Sequence, residues 1–312
     1  ATVGFDMKDV QADQYIPTTT KKGYSVDGQA SKQNAKSQMN LFNVIANYTK
    51  VFNEIHDVNL MAGFEYKKSS WEGMGIVASQ FPYDGSLMNN IGTSEQEKPT
   101  ISSYKGASEM ASFLARLNYS LASKYILTVN LRVDGSSNFS KEHQWGTFPG
   151  VSAAWRMNEE NWLKNIGWLS NLKLRAGWGA TGNQNVSDYA YMALLSYKTT
   201  PWGTGVLTGN TANPDLTWET THSYNVGIDL GLFQNRIEVI ADVYYKKTKN
   251  LLLQLPLPAY LGSSGQGAAS NPWGNVGSLE NKGIELTVNT TNITNKDFQW
   301  TSNLVFSLNR NK

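Results

Sequence analysis

The stretch Ala111–Asp134, ASFLARLNYSLASKYILTVNLRVD, alternates in hydropathy with a period of two. Phe113, Ala115, Leu117, Tyr119 and Leu121 fall on one side, and Ser112, Arg116, Asn118 and Ser120 on the other. After a break at Ala122, Ser123 and Lys124, the apolar set resumes as Tyr125, Leu127, Val129, Leu131 and Val133, against Thr128, Asn130, Arg132 and Asp134. Side chains of a strand point to opposite faces in turn, so this is a pair of antiparallel strands joined by a tight turn. A hairpin with ions on one face and an unbroken apolar opposite face must lie between water and something greasy. Each strand has about ten residues, the length a tilted strand needs to cross a bilayer core.

The same design recurs along the chain. Phe42, Val44, Ala46 and Tyr48 turn back as Val58, Leu60, Ala62, Phe64 and Tyr66. Val151, Ala153 and Trp155 are followed by Leu172, Leu174, Ala176 and Trp178. Tyr224, Val226, Ile228 and Leu230 return as Ile237, Val239, Ala241, Val243 and Tyr245, and Ile284, Leu286 and Val288 return as Phe298 to Leu308. About ten strands are expected, with long loops near residues 10–39, 69–109, 135–148, 180–220 and 250–281 and a short helix around Glu159–Leu163. Short turns and long loops alternate, so in a meander all long loops gather at one end, the asymmetry of an outer-membrane barrel. The fold class expected is all-β, a transmembrane antiparallel up-and-down β-barrel. A soluble sandwich is the competing architecture, and a passive porin-like channel and a soluble or surface-attached glycan-binding β protein are the competing functions.

Composition narrows the choice. Aromatics reach 12% while charged residues make up 17%, below the usual quarter of soluble domains. Mean hydropathy is nonetheless −0.41, as expected where apolar positions alternate with polar ones. A net charge of +2 gives no footprint for nucleic acid. With no cysteine, disulfides and thiolate metal sites are ruled out. No catalytic constellation, metal-ligand set or cofactor motif is evident: His56, His143 and His222 are isolated, and GATGNQN does not lead from a buried strand into a helix. Glu159 and Glu160 read as solvated turn charges. The expectation is a protein that is not an enzyme.

The polar face carries full charges at Glu65, Arg116, Arg132, Arg156, Lys173, Arg175, Asp229, Glu238, Asp242 and Glu285. In a barrel these line the bore or hold a plug. Tyr48, Tyr66, Tyr119, Tyr125, Trp155, Trp178, Tyr224, Tyr245, Phe298 and Trp300 gather near strand ends on the apolar side, where interfacial aromatics belong.

Several segments resemble the SusC/RagA family of TonB-dependent outer-membrane transporters from Bacteroidetes. NLRVDGSSNF, WGTFPGVSAAWRMNEENWL and LSNLKLRAGWGATGNQN follow in the family's order and spacing, and NPDLTWETTHSYNVGIDLGLFQNRIEVIADVYYKKTKNLLL and VGSLENKGIELTVN continue the match. The resemblance implies a barrel of about 22 strands with a plugged lumen. It implies multi-pass residence in the bacterial outer membrane and a SusD-like surface lipoprotein as partner. It also implies TonB acting through a segment not found in this chain, and import of oligosaccharides or peptides. On that reading the whole chain, 1–312, is part of a transmembrane barrel, without plug or TonB box. Loop aromatics Trp71, Tyr83, Trp145, Tyr191, Trp202, Tyr260 and Trp273 become candidate substrate contacts, because aromatic faces stack on sugar rings. Packing of loop against loop is the competing role for each. Asp134 and Ser136 are expected to order their own loop.

Overall fold

The computed structural model describes residues 1–200, 202–258, 260 and 270–312. Its main sheet joins β1 (Thr2–Ile16), β2 (Gln29–Phe52), β3 (His56–Ser79), β4 (Thr100–Leu121), β5 (Tyr125–Ser136), β6 (Trp145–Arg156) and β7 (Leu169–Asn183), then β10 (Glu219–Leu232), β11 (Ile237–Lys249), β14 (Ser278–Thr294) and β15 (Gln299–Asn311). Neighbours in the sheet are neighbours in the chain, as in an up-and-down meander. The described long connections hold two small hairpins, β8 (Leu195–Thr200) with β9 (Gly203–Thr208), and β12 (Leu252–Gln254) with β13 (Trp273–Asn275). Eleven strands form the sheet, one more than hydropathy suggested.

Several expected loops are strand. Residues 10–39 are mostly the paired arms of β1 and β2, from Thr2↔Asn43 to Ile16↔Gln29. Residues 69–79 and 100–109 extend β3 and β4, leaving 80–99 as loop, and the connection at 137–144 is likewise shorter than expected. Alternation fades there because both faces meet water, while backbone pairing continues regardless of side-chain polarity. The 137–144 connection is shorter than the 157–168 turn, so long and short connections do not alternate strictly by length. The expected helix at Glu159–Leu163 is a 3₁₀ turn at Met157–Glu159 followed by further turns. Residues 201, 259 and 261–269, within the expected 180–220 and 250–281 loops, lie outside the described residues.

The chain forms two compact units. In the first, Ala1–Asn43 with Tyr66–Met110, Ala30, Ala78 and Phe81 make a small core with Tyr15 and Ile91 against it. Asp84 fastens the 80–99 loop: it accepts from Tyr15 Oη (2.8 Å), Thr18 N (3.1 Å) and Thr18 Oγ1 (2.6 Å). These bonds, led by the Thr18 hydroxyl, hold the Asp84 carboxyl below its ordinary range. Burial, followed by the bond to that carboxylate, pushes the Tyr15 phenol up to about 12.

The second unit, Val44–Glu65 with Ala111–Lys312, carries the organising hairpin. Its apolar face is open: Leu127, Val129 and Leu131 are 37%, 39% and 42% exposed. Among the described residues nothing packs over them, so the apolar face is a lipid face and not one side of a sandwich. The unit's buried core is instead built from Phe139, Phe148, Ala190, Leu216, Trp218 and Leu252, residues of the long-connection end. Short turns at the other end use left-handed pairs at Asn53–Glu54 and Ala122–Ser123, with φ of 49° and 63°, and 51° and 56°. Such pairs match the twist of the flanking strands.

Glu160 clamps one short-turn region. It accepts from Tyr125 Oη (2.6 Å), Trp155 Nε1 (3.1 Å) and Lys124 Nζ (3.1 Å). Those three donors, Tyr125 first, bring its pKa down to about 2. It is thus a structural acceptor rather than a solvated charge.

Two outcomes follow from these arrangements. Val129→Arg should destabilise the membrane-inserted protein by about 2–4 kcal/mol, whereas Ser152→Lys on the polar face should change little, as read by equilibrium unfolding from lipid vesicles. The ionised Glu160 contributes its full stabilisation above the ordinary glutamate range and loses it as pH falls toward about 2. The difference in urea midpoint between wild type and Glu160→Gln should therefore be greatest at neutral pH and vanish near the acid limit.

Candidate functional site

The polar face of β7, β10 and β11 carries an ionic ladder. Lys173 lies opposite Asp229, and Arg175 opposite Gly227, which in turn faces Asp242. Arg175 Nη2 reaches Asp229 at 2.7 Å and, passing over Gly227, Asp242 at 3.1 Å. Lys173 Nζ closes on Asp229 at 3.6 Å. A Cβ on Gly227 would collide with Asp242 Oδ1 and stand 2.9 Å from Arg175 Nη2. The glycine is therefore what allows one guanidinium to bridge carboxylates on two strands. These charges are half-buried and hydrogen-bonded, the condition under which partly desolvated ions are tolerated.

A second group lies on β3, β4 and β5. Arg132 donates to Asp134 (2.8 Å) and Ser112 Oγ (2.9 Å) and stands 3.7 Å from Glu65. Arg116 donates to Asn130 Oδ1 at 2.8 Å. Asp134 and Ser136 are buried, and Ser136 Oγ accepts from Asn138 N, ordering the loop. Arg156 serves a turn, bonding Ser123 O and Glu159. Glu285 sits opposite Asp242, and Glu238 opposite Gly231 and Asn289; neither forms an ion pair among the described residues.

Beside the ladder is a polar recess of about 520 Å³. Gly150 and Gly179, directly paired across β6 and β7, are part of its lining. A Cβ at either would meet nothing nearer than 3.7 Å. Elsewhere glycines are covered by rings: Trp71 over Gly106, Tyr104 over Gly73, Trp145 over Gly135 and Tyr244 over Gly283. Asn130, Ser152, Asn225, Tyr244, Lys246 and Asn281 line the recess, and the buried Asn281 Oδ1 has no hydrogen-bond partner among the described residues. The arrangement offers neutral donors and acceptors, the aromatic residues Trp178, Tyr224 and Tyr244 and a few ions to a polar solute. Alternation in hydropathy does not reveal this recess; the two glycines on facing strands are its only trace in the sequence.

The candidate loop aromatics fall in different places. Trp71 and Tyr83 belong to the first unit and the other five to the second. Tyr83 is exposed, its ring folded back on Gly85. Trp145 is not a loop residue: it opens β6 on the apolar face, 6.1 Å from Phe113, which is 5.3 Å from Phe64. Pairing with Gly135 extends the strand to it, so its ring faces lipid or the interface. Tyr191 and Trp273 pack together on the loop core, and Trp273 Nε1 donates to Ser187 Oγ. Trp202 and Tyr260 are 93% and 84% exposed. His222 stacks on Trp178, His56 bonds the Tyr119 hydroxyl at 2.7 Å, and His143 lies 3.7 Å from Asp215.

Comparison with known proteins agrees with this architecture. The family described as "TonB dependent receptor-like, beta-barrel" matches residues 3–311. The chain is 38% identical to TonB-dependent receptor P3 of Formosa agariphila over 316 residues, covering 100% of this chain and 31% of that protein. It is 34% identical to TonB-dependent receptor SusC of Bacteroides thetaiotaomicron over 284 residues, covering 87% of this chain and 27% of that protein. The RagAB peptide transporter superposes with a TM-score of 0.89 at 24% identity, covering 99% of this chain and 34% of the other, a likeness of fold. This chain thus spans about a third of the length of such relatives. The matching proteins carry the names of receptors and of a transporter.

Gly227→Val should break the Arg175–Asp242 bridge by steric exclusion and destabilise the barrel by about 1–3 kcal/mol. The double variant Gly227→Val/Asp242→Ala, which clears the space, should recover part of that loss in the same unfolding assay.

Proposed function

Since this chain belongs to the TonB-dependent receptor-like β-barrel family, whose barrels sit in the bacterial outer membrane, we propose that it forms part of the wall of an energised importer. The substrate is an oligosaccharide or a peptide, captured at the long-loop end beneath a SusD-like surface lipoprotein. A TonB-driven movement of a plug then opens the bore. The observation that carries this reading is the 34% identity to SusC over most of the chain, joined to a polar face built of hydrogen-bonding groups.

The chain's own residues support the parts assigned to them. The ladder of Lys173, Arg175, Asp229 and Asp242 sums to zero formal charge, two cations against two anions, so it offers no strong field of either sign. A wall of this kind suits an uncharged or mixed-charge solute better than an anion-selective pore. The recess with Asn130, Ser152, Asn225 and Asn281 supplies amide and hydroxyl partners matched to sugar hydroxyls or peptide groups. Glu65, Arg116, Arg132, Arg156, Glu238 and Glu285 complete the set of polar-face residues that line the path or seat the plug. Of the loop aromatics, Tyr83, Trp202 and Tyr260 are exposed enough to meet substrate directly. Tyr191 and Trp273 act through the loop core they pack on, whereas Trp71, expected in a loop, lies in β3 with its ring over Gly106 of β4.

Uptake of labelled oligosaccharides and peptides by cells carrying the full-length protein tests the reading. Uptake should disappear when TonB or the neighbouring lipoprotein is deleted. Persistence without TonB would identify a passive channel instead. Gly179→Trp, which fills the recess, should reduce uptake of the favoured class by about tenfold while leaving the amount of folded protein unchanged.

A further inference from the structure

A row of rings marks one edge of the apolar face. Trp178, Tyr224 and Tyr245 are in register on β7, β10 and β11, with ring centroids 6.5 and 6.2 Å apart. Toward the short turns this face is aliphatic, with Val226, Val243 and Ile284 well exposed. At and beyond the rings it becomes cationic. Lys282 lies opposite Tyr245, and Arg310 opposite Lys282. Two residues further toward the long loops, Lys247 pairs with Glu280, whose backbone bonds Lys312, and Lys249 follows. Five cations and one anion leave a net formal charge of +4 on this strip (5 − 1).

Lys247 Nζ holds Glu280 at 2.7 Å, and the charge of Lys312 also acts on that carboxylate, while Lys249, Lys282 and Arg310 form no ion pair among the described residues. Three outward cations of the first unit are matched by acids, Lys68 with Glu109 at 2.7 Å and Lys32 with Asp13 and Lys105 with Glu72 at 3.5 Å each, while Lys36 lies opposite Asp9 without an ion pair. Shielding of a free sheet edge does not account for Lys247, Lys249 and Lys282, because β11 and β14 are both paired on two sides; Arg310 and Lys312 lie on and just after β15, which ends the described sheet.

Depth identifies the counterion. Tyrosine and tryptophan rings seat at the boundary of hydrocarbon and water. Two to four residues beyond them is roughly 7–13 Å along a strand, or about 5–9 Å of depth once tilted, which is the headgroup layer. We propose that this strip of β11, β14 and β15 binds the phosphate-bearing headgroup of an anionic lipid in the leaflet at the long-loop end. Lys282 and Arg310 make the inner row of donors and Lys247 and Lys312 the outer row, with the acyl chains lying along Val243, Ile284 and Leu308. The guanidinium takes two phosphate oxygens at once, and the ammonium groups act as point charges around it.

The test uses the full-length transporter in nanodiscs of phosphatidylcholine with a minor fraction of phosphatidic acid. Native mass spectrometry counts the phosphatidic acid molecules retained, and heat-modifiable gel mobility confirms folding. Wild type should retain the anionic lipid, and Lys282→Gln/Arg310→Gln should bind it about thirtyfold more weakly, from two headgroup-level charges. Lys105→Gln, which removes a cation already matched by Glu72, should stay within about twofold of wild type. Should the first double variant not fold, Lys247→Gln/Lys249→Gln carries the same expectation. An unchanged affinity in the folded variant, or an equal loss in Lys105→Gln, overturns the proposal. Equally tight binding of inorganic phosphate to the protein in neutral detergent also overturns it, as that would mark a free-anion site.

Discussion

A backbone amide inside hydrocarbon has no water to bond, and each unmet donor or acceptor there costs several kcal/mol. The rest of this structure follows from that constraint. Strands cross only beside other strands, so sequence neighbours become sheet neighbours and the order β1 to β15 needs no crossover. Once lipid is the outer solvent, a second layer over the apolar face is unnecessary. Leu127, Val129 and Leu131 remain open where a soluble sandwich would bury them. Buried apolar cores move to the places that lipid does not reach, around Phe139, Leu216 and Trp218 in one unit and Ala30, Ala78 and Phe81 in the other.

The polar face answers a different problem. Charges at membrane depth must be satisfied by one another or by water, and here the solution spans strands. Arg175 is the pivot because its planar fork serves Asp229 and Asp242 together, which a lysine could not do. That geometry exists only because Gly227 leaves the space between them empty. The same residue type does the opposite at Gly106, Gly73 and Gly283, where a ring fills the vacancy and stiffens the pairing. Gly150 and Gly179 receive no ring, and the wall is indented there.

Legibility in the sequence tracks this division of solvents. Where one face meets lipid and the other water, alternation is forced, and the strands through Leu127, Leu174, Val226 and Val243 can be read directly. Where both faces meet water the contrast disappears, and QASKQNAKSQ reads as a polar loop although it is a paired arm of β2. Trp145 is misplaced for a related reason: the glycine opposite it, the sign of strand pairing, looks like a loop residue. Glu160 looks like one of two solvated acids because its three donors come from Lys124, Tyr125 and Trp155, brought near by two different turns. Loop packing is the least legible level, since Trp273 and Ser187 meet only through tertiary structure.

Separating the two faces also separates the duties of the side chains. Substitutions on the outer face are judged by lipid, which tolerates aliphatic exchange and rejects charge except at the aromatic edge. Substitutions on the inner face are judged by hydrogen-bond completeness, and a changed partner there leaves the backbone pairing of the strands untouched. The long-loop end is judged by neither. Its small cores hold elements such as Tyr191 and Trp273 firmly while Trp202 and Tyr260 project into solvent. A scaffold divided in this way lets loop sequence vary while the sheet beneath keeps its register, because the register is held by backbone pairing between neighbouring strands.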